Sequence, residues 1–252
     1  MKYAVITGVS KGLGEAIARL LLELGIHVIG ISRNKNESLT TLAKQNNVIF
    51  QHYYCDLAKL GELEKTIHRI NDQIFACKPT SIYLINNAAT LDPIAPATKI
   101  ENSILEHHVQ VNTIAPMVFQ NSLLKKAIEQ NVKFIGVAIT SGAAELLSYG
   151  WGAYCSSKAS LNVYTKVTAL EQAELKTGNK IIGFDPGIMD TQMQAKIRAS
   201  SAEDFIEVDL FRDYKRKDLL QDPITVARIL VDILVDEDNL VNGKMYRVKD
   251  YG

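Results

Sequence analysis

Short apolar runs alternate with amphipathic segments along the whole chain. The first run, Tyr3 to Thr7, ends in a glycine and is typical of a buried strand. Apolar residues between Ile17 and Leu24 then recur at helical spacing until Gly25 gives a stop signal. Strands that alternate with helices predict a parallel sheet with right-handed crossovers and helices on both faces.

The same alternation continues to the end of the chain and predicts about seven strands in one domain, residues 1–252. The predicted strands are 3–7, 27–32, 49–53, 81–85, 133–139, 180–184 and 244–248. The predicted helices are a polar one that contains Leu39 and Ala43, then 59–76, a long helix 102–130 that is interrupted near Pro116, 154–175 and 223–235.

One segment, residues 190–222, departs from this rhythm. Its mixed charges are interleaved with Phe205, Phe211 and Tyr214. Because an insertion of this length between a strand and a helix is usually functional, it is a candidate substrate lid. The alternative is one or two solvated surface helices.

Composition and charge exclude several classes of partner. Lysine plus arginine equals aspartate plus glutamate at 28 each, so neither nucleic acid nor an anionic membrane is expected to bind. The three cysteines form no CxxC pair, and the first residues show no signal peptide, which favours the cytoplasm. No histidine is spaced with carboxylates as a metal site requires.

A glycine-rich turn follows the first predicted strand. It reads Thr7-Gly8-x-x-x-Gly12-x-Gly14 and precedes a helix. Glycines permit a tight bend and let backbone N–H groups at the helix N-terminus approach a pyrophosphate. The turn therefore indicates a dinucleotide site, although the glycines alone also fit an ordinary strand-to-helix turn.

The end of the second predicted strand distinguishes between the two nicotinamide dinucleotides. An NAD site usually has an acidic residue there, whereas this chain has Ser32-Arg33-Asn34. A guanidinium binds a 2′-phosphate through its positive charge and through its planar, forked set of hydrogen-bond donors. Lys11 in the glycine turn can face the same phosphate. Each cation alone is more commonly solvated. Together they favour NADP(H).

A tyrosine and a lysine four residues apart, Tyr154 and Lys158, share one face of a predicted helix. An ammonium close to a phenol favours the phenolate and so makes the phenol a better proton donor. Ser141 lies thirteen residues before the tyrosine. In isolation the pair is more commonly a surface lysine beside a half-buried tyrosine.

Taken together, these motifs resemble the short-chain dehydrogenases/reductases. The resemblance covers nearly the whole chain and is carried by the glycine turn, Cys55-Asp56-Leu57, Asn86-Asn87-Ala88-Ala89, Val111-Asn112, Ser141, Tyr154 to Lys158 and Pro186-Gly187. It implies a Rossmann-type, doubly wound α/β fold and hydride transfer between a nicotinamide and a carbonyl. A serine hydrolase is not indicated, because the chain lacks a GxSxG elbow around Ser156 and Ser157.

The resemblance also implies site residues. In a reductase of this kind Ser141 would hold the carbonyl oxygen, Tyr154 would protonate it, Lys158 would favour the tyrosinate and Asn112 would fix a relay water. Asn112 alone would more commonly be a helix-kink residue. The residues implied at the cofactor are Gly8, Ser10, Lys11, Gly12, Leu13, Gly14, Arg33, Asn34, Asp56, Leu57, Asn87, Tyr154, Lys158, Pro186, Gly187, Ile188 and Thr191.

Four residues are candidates for an apolar substrate pocket, namely Leu147, Tyr149, Trp151 and Met193. The stretches 32–34 and 186–191 are similar to the sepiapterin-reductase-like branch of the family, which also contains bacterial reductases of benzil and related 1,2-diketones. The expected reaction is reduction of an apolar, aryl 1,2-diketone to an α-hydroxy ketone. The alternatives are a pterin or other ketone substrate and a non-catalytic NADP-binding regulatory protein. The resemblance also implies a homodimer or homotetramer.

Overall fold

A seven-stranded parallel sheet forms the centre of the computed structural model, which describes residues 1–251. The strands are β1 (Lys2–Thr7), β2 (His27–Ser32), β3 (Phe50–Tyr54), β4 (Ser81–Asn86), β5 (Lys133–Ile139), β6 (Lys180–Asp185) and β7 (Met245–Arg247). Their order across the sheet is β3-β2-β1-β4-β5-β6-β7, and all neighbouring pairs are parallel. The predicted doubly wound sheet of seven strands is confirmed.

Helices cover both faces of this sheet. They are α1 (Gly12–Glu23), α2 (Glu37–Gln45), α3 (Leu60–Ala76), α4 (Asn102–Val109), α5 (Ala115–Glu129), α6 (Gly152–Glu174), α7 (Gln192–Arg198), α8 (Val208–Arg216) and α9 (Pro223–Val235). Alternate residues of β1 face opposite cores, since Ala4 and Ile6 pack with α1 and α9 whereas Tyr3 and Val5 pack with α3 and α5.

Side-chain caps determine where several helices begin. The Asn36 carboxamide accepts a hydrogen bond from the Ser38 N–H at 3.0 Å, at the start of α2. The Asp222 carboxylate accepts from the Ile224 N–H at 2.9 Å, and Pro223 fills the first position of α9. These local signals explain why the predicted boundaries of α9 match the observed ones.

The interruption of the long predicted helix lies before Pro116 and not at it. A π-helical turn, Gln110–Ile114, joins α4 to α5, and the Ala115 N–H donates to the Gln110 carbonyl five residues earlier. Pro116 is the second residue of α5, where a missing N–H is tolerated. The wider turn therefore takes up the break on the N-terminal side of the proline.

The insertion 190–222 contains two helices, α7 and α8. Its ends are joined because the Asp190 N–H donates to the Gln221 carbonyl at 2.9 Å and the Gln221 N–H donates to the Ile188 carbonyl at 3.0 Å. Phe205, between the two helices, is fully buried. The insertion thus forms helices, as one of the two interpretations predicted, and they pack on the protein near the carboxyl ends of the strands.

Candidate active site

A cavity of about 1250 Å³ lies along the carboxyl ends of the strands. Ligands of open α/β sheets bind in this position, near the point where the strand order reverses between β1 and β4. A pocket for one drug-sized molecule measures roughly 300–1,000 Å³. The cavity therefore has room for a dinucleotide and a second small molecule.

The glycine turn between β1 and α1 forms one wall of the cavity. Gly8 and Gly12 have left-handed φ angles of +77° and +62°, which glycine adopts without strain. A Cβ atom on Gly14 would come within 2.3 Å of the Gly8 carbonyl oxygen and 2.5 Å of Asn87 Nδ2. Gly14 thus lies behind the turn, where it permits close packing of α1 against Gly8 and Asn87. The cavity is lined by the other residues of the turn, namely Gly8, Ser10, Lys11, Gly12 and Leu13.

Asn87 braces this turn from the end of β4. Its Nδ2 donates to the Thr7 carbonyl at 2.9 Å, and its backbone N–H donates to the Thr7 hydroxyl at 3.0 Å. These bonds fix the ends of two adjacent strands against each other. The residue therefore has a structural function in addition to its place in the cavity wall.

Three cations lie at the glycine-turn end of the cavity, namely Lys11, Arg19 and Arg33. Arg33 follows β2 and is exposed, and the Lys11 ammonium donates to the Gln192 carboxamide oxygen of α7. Arg19, on α1, was missed by the sequence analysis, because the helical spacing of its neighbours did not show that it faces the cavity. Asn34 does not line the cavity, and its carbonyl accepts from the Ser32 hydroxyl at 2.7 Å.

The remaining predicted cofactor residues meet at the same cavity. Asp56 and Leu57 follow β3, whereas Pro186, Gly187, Ile188 and Thr191 follow β6, and all six line the cavity. The Asp56 carboxylate accepts from the Ala58 N–H at 3.1 Å, and the Thr191 hydroxyl caps α7 by accepting from the Gln194 N–H at 3.3 Å.

The first turns of α6 bring Tyr154 and Lys158 together at the cavity wall. Both are buried, with 7% and 3% of their surface exposed. The Lys158 ammonium donates to the Ile139 carbonyl at 2.8 Å and lies 5.7 Å from the centre of the Tyr154 ring. Ser141, just after β5, lines the same part of the cavity.

Burial acts in opposite directions on the two titratable side chains. It raises the pKa of Tyr154 to about 12, while the Ser141 hydroxyl acts in the opposite direction. It lowers the pKa of Lys158 to about 8, against the attraction of the Asp185 carboxylate. Near neutral pH the site therefore holds a protonated phenol beside an ammonium group.

Asn112 lies in the π-helical turn and is 1% exposed. Its Oδ1 accepts from the Thr90 N–H and its Nδ2 donates to the Thr90 carbonyl, each at 2.8 Å. The side chain does not line the cavity, whereas its neighbour Val111 and its partner Thr90 do. Pro116 has no N–H for the Asn112 carbonyl four residues earlier.

Aromatic residues of α6 and the insertion form the other end of the cavity. Trp151 stacks on Phe205 with ring centres 4.6 Å apart and meets Tyr154 edge to face at 5.4 Å. Trp151, Leu147 and Met193 line the cavity, together with Phe211 and Tyr214 of α8.

Tyr149 is not a lining residue, contrary to the prediction. It is 54% exposed and lies in a turn with Gly150, whose φ of +86° redirects the chain. A Cβ on Gly150 would come within 1.9 Å of the Asp204 carbonyl oxygen, so the chain there lies against the insertion. The side chain of Tyr149 consequently faces away from the cavity.

Charged residues beside Tyr154 and Lys158 were not predicted. Asp185 ends β6, and its Oδ1 accepts from the Gly187 N–H at 3.0 Å. Its register partner on β7 is Arg247, which donates to the Glu145 carboxylate at 2.7 Å, and all three line the cavity. The β6–β7 register brings Asp185 and Arg247 together although they are distant in the sequence, and the turn after β5 supplies Glu145.

Two negative findings apply to residues 1–251. These residues contain no cluster of three or more histidine, cysteine or acidic side chains that could hold a metal ion. Within the same range no helix has the length and apolar character needed to cross a membrane.

Residues 2–202 match the family model described as short chain dehydrogenase. The chain belongs to this family. It is 39% identical over 250 residues to a benzil reductase ((S)-benzoin forming) of Bacillus cereus, a match that covers 99% of this chain and all of the relative. A benzil reductase ((S)-benzoin forming) of Bacillus subtilis is 36% identical over the full length of both chains. The protein is thus an oxidoreductase, a carbonyl reductase that acts on C=O and CH–OH groups of small molecules.

Solved structures share the fold. A short-chain dehydrogenase/reductase from Saccharomyces cerevisiae aligns with a TM-score of 0.81 at 26% identity, over 98% of this chain and 96% of that one. The enzyme KRED1-Pglu aligns with a TM-score of 0.82 at 24% identity, over 97% of this chain and 100% of that one. Members of this family use nicotinamide cofactors, and the glycine turn, with no space for a side chain at Gly14, fits such a group.

Proposed function

We propose that the protein is an NADPH-dependent reductase that converts one carbonyl of an apolar, aryl 1,2-diketone to an α-hydroxy ketone. The observation that carries the substrate class is the 39% identity, over nearly the full length, to a benzil reductase. The aromatic wall of Trp151, Phe211 and Tyr214 supports it, because flat apolar ligands pack well on such surfaces.

Tyr154 is the proposed acid and Ser141 the proposed holder of the carbonyl oxygen. When bound, NADPH supplies the hydride that reduces the carbonyl carbon. Negative charge then develops on the oxygen, where the Ser141 hydroxyl donates a hydrogen bond and the Tyr154 phenol delivers a proton. Burial raises the pKa of Tyr154 to about 12, opposite to the lowering expected from the Lys158 ammonium, so the phenol is protonated at neutral pH and has a proton to deliver.

Lys158 and Asn112 complete the proposed proton path. The Lys158 ammonium stabilises the tyrosinate that remains after proton transfer, and its position under the Tyr154 ring supports this role. The Asn112 carbonyl, which Pro116 leaves without its usual helical donor, is proposed to hold a water that returns a proton toward Lys158.

NADP(H) is the proposed cofactor because Arg33 directly follows β2 and two further cations, Lys11 and Arg19, line the same cavity. Arg33 and Lys11 would hold the 2′-phosphate, and Arg19 adds a third positive charge to the same part of the wall. The predicted cofactor residues that line the cavity, from Gly8 to Thr191, would bind the rest of the dinucleotide.

A screen of carbonyl compounds tests the proposal. Purified protein is expected to oxidise NADPH with benzil and phenyl diketones faster than with sepiapterin, oxosteroids or sugar-derived carbonyl compounds. Turnover confined to sepiapterin would favour the pterin alternative. Binding of NADP(H) without turnover of any carbonyl would instead favour a regulatory protein and contradict the proposal.

A homodimer or homotetramer is also proposed, through the helices α4 and α6. Both present exposed apolar side chains, including Leu105 on α4 and Val163, Val167 and Leu170 on α6. Light scattering that gives the mass of a single chain at micromolar concentration would contradict this assembly.

A further inference from the structure

His108 is a fully buried histidine in the last turn of α4, four residues before Asn112. Its Nδ1 lies 2.6 Å from the Asp92 carbonyl oxygen. Its Nε2 lies 3.0 Å from Asn112 Nδ2 and 3.1 Å from Ser157 Oγ. The imidazole thus joins the loop after β4, the π-helical turn and the first turns of α6.

The partners of this imidazole determine its protonation state. The Asp92 carbonyl can only accept, so Nδ1 carries the hydrogen. The Thr90 N–H donates to Asn112 Oδ1, which fixes the amide orientation and directs Nδ2, a donor, toward Nε2. Nε2 can accept from this amide, in which case the ring is neutral with its hydrogen on Nδ1. Burial lowers the pKa of His108, which agrees with this state.

The same ring contacts the turn that carries the proposed acid. The Ser157 hydroxyl donates to the Tyr154 carbonyl at 2.9 Å, and its oxygen lies against Nε2 of His108. The Tyr154 ring meets the imidazole edge to face, with centres 6.4 Å apart. A substitution or a change of charge at His108 would therefore alter the positions of both Asn112 and Tyr154.

We propose that His108 is a positioning residue for the reduction, in which its neutral Nδ1–H imidazole holds Asn112 and the first turn of α6 in the geometry for proton transfer. The inference rests on the proposed roles of Asn112 and Tyr154. Protonation would make Nε2 a donor that faces the Asn112 amide, which is also a donor, so the ring would lose its contact with Asn112 and donate instead to the Ser157 oxygen.

The charged and titratable groups around His108 set the pH range of this effect. Lys158 and Tyr154 face it from α6, and Lys158 disfavours the imidazolium. Asp92 favours the imidazolium, but its carboxylate is paired with the Lys196 ammonium of α7. We therefore expect the loss of activity on the acid side to fall below the usual pKa range of histidine.

The test compares His108→Gln and His108→Leu with the wild type. Glutamine keeps an acceptor near the position of Nε2 but does not titrate, so kcat is expected to stay within about fivefold and the acid-side loss to disappear. Leucine removes the acceptor, and kcat is expected to fall about 10- to 100-fold with KM nearly unchanged, as misplacement of catalytic groups predicts. His107→Gln, at the neighbouring exposed histidine, is the matched control.

Two outcomes would overturn the inference. One is a His108→Leu enzyme with wild-type kcat; the other is a His108→Gln enzyme that retains the loss of activity at acid pH seen in the wild type.

The ¹⁵N shifts of the imidazole give a second readout that does not depend on turnover. They are expected to show the Nδ1–H tautomer at neutral pH, and an Nε2–H tautomer or an imidazolium would contradict the proposal. If the wild type reduces no carbonyl, the proposed function fails while this spectrum still decides the state of His108.

Discussion

Burial keeps the Tyr154 phenol protonated and lowers the pKa of Lys158, but leaves Lys158 charged at neutral pH. The phenol pKa is raised to about 12 and the ammonium pKa is lowered to about 8. Below about pH 8 the Tyr154 phenol therefore holds its proton and the Lys158 ammonium holds its positive charge. In the proposed reaction the phenol donates that proton and the ammonium stabilises the resulting tyrosinate.

At Arg33, exchange of the charge is expected to reverse the cofactor preference. Arg33→Asp places a carboxylate where the 2′-phosphate is proposed to bind, so attraction becomes repulsion. The ratio of kcat/KM for NADPH over NADH should fall by about 100-fold. Lys65→Asp makes a similar charge change at an exposed site outside the cavity and should leave the ratio unchanged. An unchanged ratio in Arg33→Asp would refute the assignment of the 2′-phosphate site.

At the scale of elements, the helices of the insertion form the apolar end of the cavity. Phe211 of α8 meets Trp151 edge to face, with ring centres 5.4 Å apart, and both line the cavity. The Lys11–Gln192 hydrogen bond and the Lys196–Asp92 ion pair hold α7 against the rest of the protein. The insertion therefore contacts the glycine turn and the aromatic wall at once, and closure over a substrate remains a prediction.

Truncation of Phe211 should weaken the reduction of large diketones selectively. Phe211→Ala removes apolar surface worth about 1–2 kcal/mol, so kcat/KM for benzil should fall about tenfold, chiefly through KM. Butane-2,3-dione, which is too small to reach both walls, serves as the internal control. Equal losses for the two diketones would show that Phe211 does not contact the substrate.

The sequence predicted the elements that local signals define and missed the contacts that the tertiary fold defines. Alternating apolar runs predicted all seven strands. The motifs after β1 and β5 and the Tyr154–Lys158 pair on α6 pointed to residues that line one cavity. Asn34 and Tyr149 were placed in the cavity incorrectly, because a loop has no period that shows which way each side chain faces. Asp185 and Arg247 were missed because their proximity depends on the β6–β7 register.

At the scale of the molecule, Glu237 links four strands at the end of the sheet opposite the cavity. Its carboxylate pairs with Lys2 of β1 at 2.8 Å and Lys133 of β5 at 2.6 Å, and it accepts from the Tyr83 hydroxyl of β4. Its backbone carbonyl accepts from Lys180 of β6 at 2.6 Å. These hydrogen bonds outweigh burial and lower the pKa of Glu237 to about 2.

The stability that Glu237 provides should depend on pH. Because its pKa is lower in the folded chain than the ordinary value of 4.5, its contribution is present above that value and is lost as the pH falls toward 2. Glu237→Gln should reduce the free energy of unfolding by about 2 kcal/mol at neutral pH. In urea titrations the difference from the wild type should shrink toward about pH 3. The exposed Glu174→Gln is the control, and a difference that does not vary with pH would contradict this account.

The transfer of deuterium from NADPH to benzil tests the central claim most directly. With NADPH deuterated at the transferable position, the wild type should form benzoin that is heavier by one mass unit. Tyr154→Phe, which lacks the acid, should bind NADPH normally but form benzoin about 10²- to 10⁴-fold more slowly, whereas Tyr164→Phe on the same helix should match the wild type. Benzoin without deuterium, or a Tyr154→Phe enzyme as fast as the wild type, would contradict the account.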